Sequence, residues 1–357
     1  MNLIDIGWNS FFEDKFGQYK RLGMIPARIS QQHKTVYLAL CEYGEITAEV
    51  AGRIHHGAVG PADYPTVGDW VAILYLPDER KGIIQALLPR NSAFMRKVAG
   101  EETAQQVVAS NIDTIFIVNG LDGDFNLRRI ERYLAMAWES NAVPVIILNK
   151  SDLVDNVDQM VFQVESLALG VPVHAVSATR EQGLDIIRGY LSPGTTAALL
   201  GSSGVGKSSI INHLLGEERL RVNEVRQWDS RGRHTTTYRQ MILLPEGGII
   251  IDTPGMRLVK LWGDEDSVSR AFEDIEELGT LCRFHDCQHQ SEPGCAVQAA
   301  LVDGSLDRKR YESYLKLKKE LRYLEARQAM KPSAFEKLRW KQIAIYQKHV
   351  KGRGRMG

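Results

Sequence analysis

Cysteine is scarce in this chain, with 4 among 357 residues. That is too few for a disulfide scaffold, so a reducing, cytoplasmic setting is the expectation. Long apolar runs are lacking too. None approaches the roughly 20 residues that span a bilayer, and Met1 to Lys20 carries Asp5, Glu13 and Asp14 in place of a basic, apolar leader. No membrane partner is expected. Net charge is also absent, since 44 Lys/Arg balance 44 Asp/Glu. The balance hides an uneven distribution: residues 308–357 hold 16 Lys/Arg against 4 Asp/Glu, a surplus of +12, so residues 1–307 carry −12. A basic end on an acidic body suits an anionic partner, nucleic acid first.

What is present exceeds one core. A chain of this length predicts two or three domains. Trp8, Phe11, Phe12 and Phe16 at helical spacing predict a short amphipathic helix. Between Gly23 and Leu88, five short alternating runs (24–29, 35–40, 46–51, 69–74 and 83–87) are separated by turn residues. They predict a small β-barrel, with an OB-fold as the leading form. Such barrels often bind oligonucleotides through basic and aromatic groups, and Arg28, His33, Lys34, Tyr37, Arg53, His55 and His56 are the candidates here. Residues 90–111 read as a connector and helix. From Thr114 the texture alternates between apolar strands (114–118, 143–148, 171–176) and helices (127–140, 158–168). With the run before Gly201, then 239–244 and 248–251, they predict a largely parallel sheet buried on both faces.

The central motif is Gly201-Ser202-Ser203-Gly204-Val205-Gly206-Lys207-Ser208-Ser209, between an apolar strand (Thr196 to Leu200) and a helix-like segment. G-x-x-x-x-G-K-S at a strand-to-helix turn is a phosphate loop. Its glycines let backbone N–H groups converge on phosphate oxygens, Lys207 reaches the outer phosphates, and the Ser208 hydroxyl is placed for Mg²⁺. The base is chosen elsewhere. Asn149-Lys150-Ser151-Asp152 ends the strand 143–148, and N-K-x-D at that place resembles the guanine reader of GTPases. The Asp152 carboxylate can accept from guanine N1–H and the exocyclic amine. Adenine offers neither, and an unpaired buried carboxylate would reject ATP. Asn149 would support the loop, and the Lys150 stem can lie over the ring. Ser177-Ala178-Thr179, after the next strand, resembles the loop whose backbone meets guanine O6.

Asp252-Thr253-Pro254-Gly255 follows the strand 248–251, placing Asp252 to hold Mg²⁺ through water and Gly255 to donate its N–H to the γ-phosphate. Upstream lies Arg231-Gly232-Arg233-His234-Thr235-Thr236-Thr237, a switch-like segment from which Thr236 is the favoured third Mg²⁺ contact. Near the C-terminus, Cys282, Cys287 and Cys295 lie within 14 residues with His285 and His289 as rival fourth ligands. Three thiolates and one imidazole make a closed structural zinc site. Cys41, in the barrel, is expected to be buried. After the cluster, 307–330 reads as a helix carrying Lys316, Lys318, Lys319 and Arg322, followed by a basic, glycine-rich tail.

The order of parts is unusual, because the base-reading loops precede the phosphate loop. With the threonine triplet after Arg-Gly-Arg-His, a barrel ahead and a cysteine cluster behind, the chain resembles the circularly permuted RsgA (YjeQ) GTPases over about residues 20–330. That resemblance implies a GTPase of late small (30S) ribosomal subunit maturation that binds 16S rRNA and is activated by the subunit. It also implies His289 as the fourth zinc ligand. Met256 stands where Ras-like enzymes orient water with a glutamine, and a thioether cannot do so. His234 is the replacement candidate, acting with Lys207 in catalysis. The expected fold class is multi-domain α/β: an extension (1–20), an OB-fold barrel (21–90), a permuted P-loop GTPase domain (91–262), a zinc-binding helical region (263–330) and a basic tail (331–357). A monomer cycling between GTP and GDP is expected. The alternatives are an RNA-binding assembly module with GTP as a structural ligand, or a metabolic phosphotransferase.

Overall fold

Alternation of small and branched apolar residues closes the N-terminal sheet on itself. In the computed structural model, residues 1–33, 36–97, 105–218, 220, 239–252 and 265–328 are described. Helix α1 (Ser10–Lys20) starts at Asn9, whose side chain accepts from Phe12 N. Strands β1 (Ile25–Gln32), β2 (Val36–Cys41) and β3 (Gly44–Val50) lead through α2 (Gly52–Gly57) to β4 (Trp70–Leu76) and β5 (Lys81–Leu87). The spatial order is β1-β2-β3-β5-β4, and β4 pairs back with β1, giving a closed, OB-like five-stranded barrel. Every second residue points inward: Ala27 and Ile29, Tyr37, Ala39 and Cys41, Ile46 and Ala48, Val71 and Ile73. Trp8, Phe12, Phe16 and Trp70 cover the outer side of β1 and β4, with the Trp8 and Trp70 rings 4.7 Å apart.

Two expectations fail in this half. The described residues of 90–111, which are 90–97 and 105–111, form no helix. Strands β6 (Ala93–Lys97) and β7 (Gln105–Ser110) make an antiparallel hairpin instead. The β-branched pair Val107-Val108 is buried, and Ser110 N donates to Val67 O, so pairing and packing override the local pattern. The barrel residues offered for nucleic acid also divide. Arg28 is 1% exposed, and its guanidinium donates to the carbonyls of Gly68 (3.1 Å), Ile6 (2.6 Å) and Asn111 (2.8 Å). It is an internal tie, held by three acceptors in a dry seam. Tyr37 is buried in the barrel core. Arg53 remains on the outside, although it donates to Gln85 O. Lys34 lies outside the described residues.

The second half of the sheet contains β8 (Thr114–Gly120), β9 (Val143–Asn149), β10 (Val173–Ala175), β11 (Thr196–Leu200), β12 (Gln240–Leu243) and β13 (Ile249–Asp252). Its order is β10-β9-β8-β11-β13-β12. All neighbours are parallel except β12, which returns antiparallel on β13 and meets β1 of the barrel at Gln31. Helices α3 (Leu127–Glu139) and α4 (Val157–Glu165) cover one face; α5 (Leu184–Arg188) and α6 (Lys207–Leu215) cover the other. The C-terminal helices are α7 (Glu265–Ala271), α8 (Glu273–Thr280), α9 (Ala296–Asp303) and α10 (Arg308–Gln328). No helix among the described residues is long and apolar enough to cross a membrane.

Candidate functional site

The phosphate loop begins where β11 ends. A Cβ on Gly201 would lie 2.3 Å from Val118 O, so only glycine lets the chain pass beside β8. At the other end Gly206 has φ +97°, and a Cβ there would lie 2.1 Å from the Asn149 amide. Helix α6 starts at once, with Lys207 and Ser208 in its first turn. The Lys207 ammonium donates to the carbonyls of Gly201 (2.8 Å) and Ser202 (2.6 Å), closing the loop on itself. Asp252, at the end of β13, has its carboxyl raised by burial and lowered in part by Lys207.

Asn149 joins the separated motifs. Its Nδ2 donates to Val205 O in the phosphate loop (2.7 Å), and its Oδ1 accepts from Ala178 N (2.9 Å). One buried side chain therefore ties N-K-S-D to both the later loop and the phosphate loop. Lys150 adopts φ +67°, turning the loop sharply after β9. Ser151 N donates to Val176 O, and the Ser177 hydroxyl donates to Asp152. Asp152 thus faces the Ser177–Ala178 loop. These contacts place Asn149, Lys150, Ser151, Asp152, Ser177, Ala178 and Gly201 through Ser209 at one end of the parallel sheet, where open α/β folds bind ligands. His234, Thr236, Gly255 and Met256 lie outside the described residues.

Sequence reasoning missed two carboxylates between β8 and α3. The Lys150 ammonium is 2.6 Å from Asp122, and Ser202 Oγ donates to Asp124 at 2.6 Å. Burial of Asp122 opposes ionisation, but the Lys150 hydrogen bond and the Asp124 N–H hold its carboxyl below the usual carboxylate value. Both acids follow a strand at the carboxyl edge of the sheet, the available signal that they border the site.

The second cluster is Cys282, Cys287, His289 and Cys295, whose ligand atoms all lie within 4.8 Å of one another. His285 is not among them. Cys282 and Cys295 sulfurs are 3.8 Å apart, and each is 3.5 Å from His289 Nδ1. A tetrahedral zinc, with bonds of about 2.3 Å to sulfur and about 2.0 Å to nitrogen, requires edges of about 3.8 and about 3.5 Å. The donor set fits that metal. Tyr311 Oη and Gln298 Nε2 donate to His289 O, fixing the ligand's backbone at φ +59°. Glu292 accepts from the N–H groups of Gln288, Gln290 and Ser291, which together pull its carboxyl to about 2.

On α10, Tyr311, Tyr314, Leu317 and Leu321 face inward, while Arg308, Lys309, Lys316, Lys319 and Arg322 are exposed. Two members of the basic run serve internally. Lys318 pairs with Glu276, and Arg310 pairs with both Asp274 and the buried Glu131 of α3.

The family model described as RsgA GTPase matches residues 87–262. The small ribosomal subunit biogenesis GTPase RsgA of Opitutus terrae is 45% identical, covering 96% of each chain. RsgA 1 of Oceanobacillus iheyensis is 43% identical over 94% of this chain and 98% of its own. Among solved structures, YjeQ from Thermotoga maritima superposes with a TM-score of 0.62 at 25% identity, covering 84% of this chain and 98% of that one. YloQ, described as a circularly permuted GTPase, has a TM-score of 0.59 at 23% identity, covering 84% and 95%. With Asn149-Lys150-Ser151-Asp152 and Ser177-Ala178 ahead of the glycine-rich loop and relatives matched over 94% or more of their length and its own, this chain belongs to the RsgA GTPase family.

Proposed function

We infer that this chain hydrolyses GTP in the cytoplasm as a maturation factor of the small ribosomal subunit. The observation that carries the reading is Asn149, whose two hydrogen bonds join three segments, permuted in sequence, at one end of the parallel sheet. In this reading Asp152 selects guanine, Ala178 N–H meets the base edge and the Lys150 stem covers the ring. The N–H groups from Gly201 to Ser209 would cradle the phosphates. Lys207 would leave its two carbonyls for the outer phosphates, where positive charge favours the transition state. Ser208 and Thr236 would hold Mg²⁺ directly, with Asp252 acting through water. The ion supplies charge neutralisation to the phosphates. Gly255 would donate to the γ-phosphate, and His234 would orient the attacking water in place of the thioether of Met256.

Cys282, Cys287, His289 and Cys295 would hold one structural zinc, since three thiolates and an imidazole leave no open position for chemistry. The exposed cations of α10 and the basic tail suit the phosphate backbone of 16S rRNA. The barrel and the zinc-bearing region would then act as RNA-binding arms flanking the GTPase, in a monomer.

The test is nucleotide binding and turnover, GTP against ATP, with and without purified 30S subunits. At least about 100-fold preference for GTP is expected, with slow turnover that the subunit accelerates. His234→Ala should bind GTP normally yet stall hydrolysis on the subunit. Equal turnover with and without subunits would count against the reading.

A further inference from the structure

The loop between β8 and α3 belongs to none of the nucleotide motifs, yet it grips both halves of the site. Asp122 Oδ2 lies 2.6 Å from Lys150 Nζ, and Asp122 Oδ1 accepts from Asp124 N at 3.2 Å. The pair is largely shielded, with side-chain exposures of 28% for Asp122 and 17% for Lys150. Gly120 makes room for it: a Cβ there would stand 2.6 Å from Asp122 Oδ1 and 3.7 Å from Lys150 Cδ. Two residues on, Asp124 receives the Ser202 hydroxyl and is itself paired with Arg129 of α3 at 2.8 Å. Arg129 is fixed in turn, because its guanidinium also donates to the Asp124 carbonyl.

A lysine has four rotatable bonds, and an untethered one would sample many positions over the site. Here the ammonium is anchored at its far end while the left-handed turn at Lys150 sets its near end. We propose that Asp122 is a positioning residue for guanine nucleotides, which holds the Lys150 stem stretched along the base side of the site before the nucleotide arrives. This rests on the placement of the base against Lys150 argued above. It adds a carboxylate that reaches no part of the nucleotide and acts through the lysine alone. Both ends of Lys150 are held by the protein's own groups, so nucleotide binding does not have to supply that order. Since the anchor lies on the base side, GDP and GTP benefit equally, and the chemical step gains nothing.

The test is a double-mutant cycle on the full chain, read by fluorescently labelled GDP and by a non-hydrolysable GTP analogue. Asp122→Asn should weaken both by the same factor, about fivefold, and leave kcat at saturating GTP unchanged. Lys150→Ala should weaken both at least as much. Adding Asp122→Asn to Lys150→Ala should then do no further harm, because the carboxylate has lost the group it acts through. Gly120→Ala, which crowds the carboxylate from the backbone side, is a second route to the same loss should Asp122→Asn fold poorly by thermal melting. Additive losses, or full affinity in Asp122→Asn and Gly120→Ala beside a weakened Lys150→Ala, overturn the role of Asp122 while leaving the base where it was placed. Full affinity in Lys150→Ala overturns the placement of the base, and the proposal with it.

Discussion

The barrel and the C-terminal helices are held together by different means. The barrel closes its own hydrogen-bond ladder and fills it with its own side chains, from Ala27 to Ile84. The C-terminal region has no such interior. Val268, Phe272, Ile275, Val297, Tyr314 and Leu321 are buried, but in a core shared with α3 and the sheet. Residues 281–295 between α8 and α9 add little to that core beyond the cysteines of the Cys282, Cys287, His289 and Cys295 cluster. One end therefore carries its own core, whereas the other packs against the sheet and α3 and offers a cluster fit for a metal, so its folding is expected to depend on both.

Removing the metal should break this comparison most visibly. Structural zinc supplies on the order of 10 kcal/mol in small metal sites. Cys295 also caps α9, accepting from Gln298 N. Cys295→Ser should lose bound zinc and abolish hydrogen-exchange protection across residues 281–303, with β1–β5 protected as before. Loss of protection in the barrel strands as well would show that the two ends are not independent.

Disrupting the docking surface should have the next greatest effect. Glu131 of α3 is fully buried, accepts from Arg310 Nη1 at 3.0 Å and receives Arg128 as well. Arg310 continues to Asp274 of α8 and lies 4.8 Å over the Phe272 ring. Removing the carboxylate leaves the buried Arg310 Nη1 donor without its acceptor while Asp274 keeps the charge paired, so Glu131→Ala should cost about 3 kcal/mol in urea unfolding. Glu131→Gln should cost less. Burial holds the Glu131 carboxyl above 4.5 despite Ser313, Arg128 and Arg310. The folded state therefore binds this proton more tightly than the unfolded one. Its contribution to stability is full below pH 4.5 and lost as pH rises through the elevated value. Glu131→Gln should accordingly compare best with the native chain near neutral pH.

Arg28→Lys sharpens the barrel side of the comparison. One ammonium cannot reproduce a planar fork that serves three carbonyls from three segments. A loss of about 2 kcal/mol in thermal unfolding is expected, as two acceptors are left without their donors. Burial already pushes the guanidinium down to about 10, against the pull of Asp113 and Asp69.

These residues also mark what the sequence could and could not disclose. The phosphate loop, N-K-S-D and the cysteine spacing were legible because each is local, with its chemistry written in adjacent positions. The permuted order was legible for the same reason. Arg28 was misread as a nucleic-acid contact because a charge in an alternating strand looks the same whether it faces water or three carbonyls. Glu131 and Arg310 are 179 residues apart, and no periodicity announces their meeting. Asp122 and Asp124 sit in an ordinary-looking acidic loop, and only the approach of β9 and β11 gives them partners. The hairpin β6–β7 depends on packing against Val67 and α3, which outweighs a helical reading of its short segments.

The smallest expected effect concerns the loop inside the metal-binding end. Glu292 is only half-buried, so its value lies in geometry rather than in buried charge. Its two oxygens take three backbone N–H groups, and so set the path from His289 round to Cys295. The depressed carboxyl means that this contribution is complete above pH 4.5 and fades as pH falls toward about 2. At neutral pH it is fully present and can be removed by substitution alone. Glu292→Gln keeps the shape but offers one acceptor oxygen in place of two, so at least one donor is released. With the ligands less well held, zinc should pass to a chelator about threefold faster, while the melting of the barrel stays unchanged. An unaltered release rate would mean that Tyr311 and Gln298, through His289 O, suffice to hold the ligand loop without the carboxylate.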